Sequence, residues 1–192
     1  MAADLELFRA INGLAGQWPL LDALMRLVVN DYFVPTTMSL VLLALWFIGG
    51  TPEDREAKQR AVIYAVFTLL LANLVVKLCN LVYYRPRPFE SHEVNLLFYR
   101  PWDSSFPSNP AAVGFSFASA IWLRQRRCGW ALGLLAALFG FSRIYCGVQY
   151  PVDVLAGALI GMAAGWATHA GRRWLDHLGN AAIALGRRHY LA

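Results

Sequence analysis

Five apolar stretches, at about residues 32–48, 61–82, 111–123, 129–145 and 152–170, constrain this chain more than any other feature. Each approaches the roughly 20 residues that an α-helix needs to cross a bilayer. In lipid, every backbone N–H and C=O must be bonded within its own segment, so stretches of this kind are helical. The third is short and contains serine, which predicts a helix partly enclosed by its neighbours. The mean hydropathy of +0.43 agrees with a membrane location, and the 192 residues leave no room for a separate soluble domain. The expected fold is all-α, an integral membrane bundle of about five transmembrane helices over residues 32–170. Before it, residues 1–31 read as an interfacial segment, with short amphipathic helices at 5–14 and 20–29 separated by Pro19. After it, residues 171–192 read as a basic amphipathic tail. The start, 1–17, carries Asp4 and Glu6 and no basic run, unlike a cleavable signal peptide.

Five spans would put the termini on opposite sides. Arg55, Lys58, Arg60, Arg124, Arg126 and Arg127, with Arg172, Arg173, Arg187 and Arg188 of the tail, place ten basic residues on one side. Arg9, Arg26, Arg85, Arg87, Arg100 and Arg143 place six on the other. The positive-inside rule then predicts a cytoplasmic C-terminus and extracytoplasmic arginine-proline loops. The net charge of +5 suits anionic lipid headgroups at a membrane and not nucleic acid. Cys79, Cys128 and Cys146 stand apart, in or beside the apolar stretches, and read as packing residues without disulfide or zinc spacing. Apart from Lys77 the interiors of the spans lack ionisable residues, which argues against a transporter or channel.

Arg85-Pro86-Arg87-Pro88 follows the second stretch directly. The prolines stiffen the backbone, so both guanidiniums project from a fixed loop. A guanidinium grips phosphate oxygens in pairs and keeps its charge at any working pH. Arg143 ends the fourth stretch, near the region where an unpaired charge is costly. Ser108-Asn109-Pro110 opens the third, with capping side chains followed by a proline suited to a helix start. The free N–H groups of such a start attract an anion. Arg85, Arg87, Arg143, Ser108 and Asn109 therefore form a candidate phosphate cradle, with Glu90 and Glu93 as partners of the arginines. Lys77 would reach it by snorkelling along the second span. Gly157, Gly161 and Gly165 mark a small-residue stripe on the last span, expected to pack inside the molecule.

Ser142-Arg143, five residues, Gln149, three residues and Asp153 closely resembles the third signature of the type 2 phosphatidic acid phosphatases, the PAP2 superfamily. Pro107-Ser108-Asn109-Pro110 is similar to the second. Three runs resemble the undecaprenyl pyrophosphate phosphatase branch: Arg-Pro-Arg-Pro-Phe at 85–89, Ser-His-Glu-Val-Asn-Leu-Leu at 91–97, and Asp-Ser-Ser-Phe-Pro-Ser at 103–108. Leu-Phe-Arg-Ala-Ile-Asn-Gly-Leu at 7–14 does so too, and the resemblance covers roughly residues 5–170. It implies a PAP2-like bundle with its site at the extracytoplasmic end, an anionic or polyprenyl lipid phosphate as ligand, and no metal or other cofactor. It adds Ser142 to the implied phosphate ligands. One departure is the family's first-signature lysine, whose position seven residues before Arg87 is Asn80; Lys77 lies eight before Arg85 and ten before Arg87.

The same resemblance puts Gln149 at the nucleophilic histidine and Pro110 at the general-acid histidine. An amide nitrogen, its lone pair delocalised, is a very poor nucleophile, and proline moves no proton. Asp153, which in the family orients the nucleophile, is retained. Loss of a general acid alone costs about 10²–10⁴-fold. His92 is the histidine of the motif loops; relatives with both catalytic histidines have it as well, so it is not read as a replacement. The expected function is that of a membrane protein without phosphatase activity. It would serve as a lipid-phosphate binder or as an accessory subunit among the other subunits of a complex in a bacterial inner membrane. The alternative is an active phosphatase of undecaprenyl pyrophosphate or phosphatidic-acid-like lipids.

Overall fold

The computed structural model describes residues 2–177 together with Gly179 and Ile183. Most of the expected tail, Arg187, Arg188 and His189 included, lies outside the described residues. The helices in chain order are α1 (Ala2–Asn12), α2 (Pro19–Val28), α3 (Phe33–Phe47), α4 (Pro52–Val82), α5 (Pro88–Ser91), α6 (Asn109–Trp122), α7 (Arg126–Tyr145) and α8 (Pro151–Ala170). Among the described residues there is no strand.

Every one of the five apolar stretches is a helix. By length and composition α4, α7 and α8 can cross a membrane, and α2 with α3, bent by 57°, qualifies as a fourth only if the pair is one span. The all-helical bundle expected from the sequence is thus present, with three or four helices long and apolar enough to be candidate spans. α6 falls below that length: its 14 residues extend about 21 Å, against about 30 Å of hydrocarbon. It packs against α3, α4, α7 and α8, so its neighbours, not lipid, cover much of its backbone.

Small residues make that enclosure possible. A Cβ on Gly161 would lie 2.5 Å from the Ala112 carbonyl, and one on Gly157 or Gly165 would collide with Ser108 or Ser119 of α6. The expected intramolecular role of this stripe is therefore met. Large apolar side chains point the other way: Leu155, Leu159 and Trp166 of α8 are exposed, as are Leu70, Leu74, Leu78 and Leu81 of α4. Buried hydroxyls are satisfied within their own helices, Thr68 on the Tyr64 carbonyl and Thr168 on the Ala164 carbonyl, both at 2.8 Å.

α1 and α2 lie across one end of the bundle. Asn12 donates to the carbonyls of Asn95 (2.9 Å) and Tyr145 (2.8 Å), pinning the end of α1. Asp22 faces inward and accepts from the Tyr145 hydroxyl at 2.7 Å, while Leu20, Leu24 and Leu27 of the same helix are exposed. This end also receives the C-termini of α4 and α7 and the N-termini of α6 and α8. At the far end Arg60 pairs with Asp176 at 3.4 Å, and the Arg124 guanidinium lies 4.6 Å over the Tyr64 ring.

Candidate functional site

Two segments meet at the α1 end: the loop from 83 to 108 and the turn from 146 to 150. Leu97 N–H bonds the Cys146 carbonyl between them (3.2 Å), Ser105 N–H closes the loop on the Arg85 carbonyl (2.9 Å), and Ser108 N–H reaches the Asp153 carbonyl of α8 (2.9 Å). The turn depends on Gly147, whose φ of +82° is costly for any residue with a Cβ. It lets Val148 N–H return to the Arg143 carbonyl at 3.0 Å and sends Gln149 inward.

Gln149 is 1% exposed. Its Oε1 accepts from the Ser108 hydroxyl at 2.7 Å, and its Nε2 donates to the Ser105 carbonyl at 3.2 Å. The Ser108 oxygen in turn accepts from Ala111 N–H at 3.3 Å, capping α6. Beside it Asp153, fully buried, accepts from the Ser105 hydroxyl at 2.5 Å and from Arg85 Nη1. Arg85 Nη2 donates to Asp4 of α1 at 2.8 Å, and the guanidinium rests 4.1 Å over the Tyr150 ring. Burial alone would lower the Arg85 guanidinium, but its bond to Asp4 and the charge of Asp153 outweigh that and hold it above its usual value.

The other arginines turn inward. Arg87, 4% exposed, donates to the Asp103 carbonyl and the Val148 carbonyl at 2.9 Å and to the Asp103 carboxylate at 2.8 Å. Glu90 accepts from the Arg87 backbone N–H at 2.9 Å, and Glu93 is exposed. Arg143, 3% exposed, pairs with Asp31 of the α2–α3 turn and lies between the rings of Phe98 and Phe139 at 5.3 and 5.2 Å. Its Nε has no hydrogen-bond partner among the described residues. Tyr99 also donates to Asp31; that bond, with burial, pushes the Tyr99 phenol up to about 12.

Of the expected cradle, then, Arg85 and Ser108 join one bonded cluster through Ser105, together with Gln149 and Asp153 of the expected catalytic positions. Arg87 and Arg143 reach the same turn but are directed at Asp103 and Asp31. Ser142 bonds back to the Phe139 carbonyl at 2.7 Å within α7. Asn109 is exposed, Pro110 is half-buried in the first turn of α6, and Lys77 is exposed on α4. Sequence reasoning missed Asp4, Asp31, Asp103, Ser105 and Tyr150. The usable signal was charge balance: buried arginines need carboxylates, and the chain holds only 12 acidic residues.

A cavity of about 790 Å³ opens beside Arg85, with Asp4, His92 and Tyr150 in its polar part and Leu5, Tyr83 and Phe106 among its apolar walls. Gln149 and Asp153 stand behind the wall and do not line it. The His92 ring meets Tyr150 edge-on at 6.4 Å, and its side chain makes no hydrogen bond among the described residues. Chemically, the cavity sets one guanidinium, paired with Asp4, beside an apolar mouth.

The profile of the PAP2 superfamily matches residues 61–176. Undecaprenyl-diphosphatase BcrC of Bacillus subtilis (strain 168) is 35% identical over 161 residues, 84% of this chain and 80% of that protein. The putative undecaprenyl-diphosphatase YbjG of Escherichia coli (strain K12) is 31% identical over 160 residues, 83% of this chain and 77% of that one. Among solved structures, Aquifex aeolicus LpxE superposes with a TM-score of 0.73 at 32% identity, over 88% of this chain and 96% of its own. A PAP2-type phosphatidylglycerolphosphate phosphatase from Bacillus subtilis gives 0.65 at 20% identity over 91% and 86%, a likeness of fold.

Proposed function

The chain belongs to the PAP2 superfamily, and on that footing we propose that it is a membrane protein that holds a lipid phosphate without cleaving it. The observation that carries this reading is Gln149, buried where the resemblance puts the nucleophile, with both ends of its amide already bonded to Ser108 and Ser105. Neither amide atom can attack phosphorus. Pro110 supplies no proton, and Asp153 is engaged by Arg85 and Ser105. Arg85 contacts the headgroup; Arg87 and Arg143, paired with Asp103 and Asp31, brace the loops behind the wall, and Ser108, Asn109 and Ser142 hold the helix ends that shape it. The names of the relatives point to a polyprenyl diphosphate or similar lipid as ligand, and a bacterial inner membrane is the location that this reading gives the chain.

A second reading, an active phosphatase, draws on one observation: His92 lines the same cavity as Arg85. Among the described residues no carboxylate bonds its ring to orient it, as the family mechanism needs. Purified protein is expected to release no phosphate above background from undecaprenyl diphosphate or phosphatidic acid, while nanodiscs containing it retain phosphatidic acid over phosphatidylcholine. Turnover that disappears in His92→Ala would replace the first reading with the second. Equal retention of both lipids would remove the binding role.

A further inference from the structure

The Arg85 guanidinium is shared by two carboxylates that differ in kind. Asp153 takes Nη1; it is fully buried and is held again by Ser105 at 2.5 Å. Asp4 takes Nη2 at 2.8 Å, lines the cavity, and with its other oxygen accepts Val152 N–H in the first turn of α8 at 3.0 Å. One carboxylate from α1 thus occupies the guanidinium nitrogen and the backbone N–H that the oxygens of a phosphate in the cavity would use. The rest of α1 is anchored elsewhere, by Asn12 at its end and by Phe8, 1% exposed, whose ring lies 5.5 Å from that of Tyr150. In the first turn Ala2 and Ala3 are exposed, and Asp4 is the polar tie.

From this contact we infer that the first turn of α1 is a displaceable strap, in which Asp4 holds Arg85 until an anionic phosphate headgroup takes its place. The inference rests on the lipid-phosphate reading above. Electrostatics give its sign: one guanidinium between two carboxylates leaves the wall net negative, so a phosphate entering beside Asp4 meets like charge at contact range. With Asp4 withdrawn, Nη2 and the Val152 N–H both face the cavity, and a planar guanidinium nitrogen beside a helix start is a good phosphate partner. Asp153 cannot be the group that yields, because it is buried and tied twice. Leu5, Tyr83 and Phe106 offer apolar wall to the first part of a hydrocarbon chain, so the ligand class is a lipid phosphate or diphosphate. Free phosphate shares the head chemistry alone.

The test compares wild type, Asp4→Asn and Arg85→Gln in nanodiscs for binding of phosphatidic acid and, separately, of inorganic pyrophosphate. Asp4→Asn should bind phosphatidic acid about tenfold more tightly, the equivalent of one charge-assisted contact, and Arg85→Gln should lose binding. Tightening with both probes assigns the effect to the head; tightening with the lipid only shows that the apolar wall is needed as well, and either supports the strap. Equal or weaker binding by Asp4→Asn, with loss in Arg85→Gln, overturns the strap and leaves the lipid-phosphate reading standing. No binding by any of the three overturns both. Hydrogen exchange on the wild type avoids dependence on a variant's folding. Phosphatidic acid, compared with phosphatidylcholine, should speed exchange in residues 2–6 and leave the Asn12 end unchanged; unchanged exchange despite bound lipid would also overturn the strap.

Discussion

The Gln149 amide joins its own turn to Ser105 and Ser108 of the long loop, and this limits what a histidine at the same place could restore. An imidazole there would meet an Asp153 already engaged by Arg85 and Ser105, with no proton donor at position 110. Gln149→His alone should therefore release phosphate from undecaprenyl diphosphate about 10²–10⁴-fold more slowly than Gln149→His combined with Pro110→His. Equal rates for the two variants would show that Pro110 is not a lost acid. A different residue-scale effect belongs to Tyr99, whose phenol is raised from the ordinary 10.0 to about 12 by its bond to Asp31. The folded chain holds this proton more tightly than the unfolded one. Its contribution is complete below about pH 10 and is lost as pH rises toward about 12. Melting temperature should fall more steeply over that window in wild type than in Tyr99→Phe; parallel profiles would remove the bond from the stability of this end.

The packing of α6 against α8 depends on close approach, so glycines with similar sequence settings should respond very differently. Gly161→Ala puts a methyl group 2.5 Å from the Ala112 carbonyl, and overpacking of this kind costs about 1–3 kcal/mol. Gly133→Ala of α7 meets nothing within 4 Å and should be neutral or slightly stabilising, since alanine is the better helix former by about 1 kcal/mol. Thermal unfolding in detergent of the two variants checks this; equal behaviour would mean that α6 and α8 are not in contact. Helices were legible because lipid forces apolar stretches into internally bonded backbone, and the glycine stripe was legible because its spacing of four places the residues on one face. The site was legible only in part. The motif residues mark where two loops meet, but nothing local tells that Arg85 will find Asp4 or that Arg143 will find Asp31, each chosen by packing across much of the chain. The shortness of α6 was visible as a length; that it would stand enclosed by α3, α4, α7 and α8 was settled by their glycines, alanines and serines.

At the scale of the molecule, the surface is turned inside out. α2 buries Asp22 and exposes Leu20, Leu24 and Leu27, and α4 buries Thr68 and Ala72 while exposing Leu70 and Leu74. Side chains so arranged have an apolar solvent, which is what membrane helices require. The chain order of the helices then divides the charges between two ends. Arg55, Lys58 and Arg60, Arg124 with Arg126 and Arg127, and Arg172 with Arg173 lie at the far end from the Arg85 cavity, so the positive-inside rule predicts a cavity outside the cytoplasm. With Cys79, Cys128 and Cys146 replaced by alanine, two single cysteines, Glu93→Cys in the cavity loop and Glu53→Cys at the opposite end, report this directly, since both positions are exposed. In intact bacterial cells a membrane-impermeant maleimide should label Glu93→Cys, and Glu53→Cys only after lysis. The reverse pattern would invert the topology and put the headgroup cavity on the cytoplasmic face, where a lipid phosphate would have to be presented from the inner leaflet.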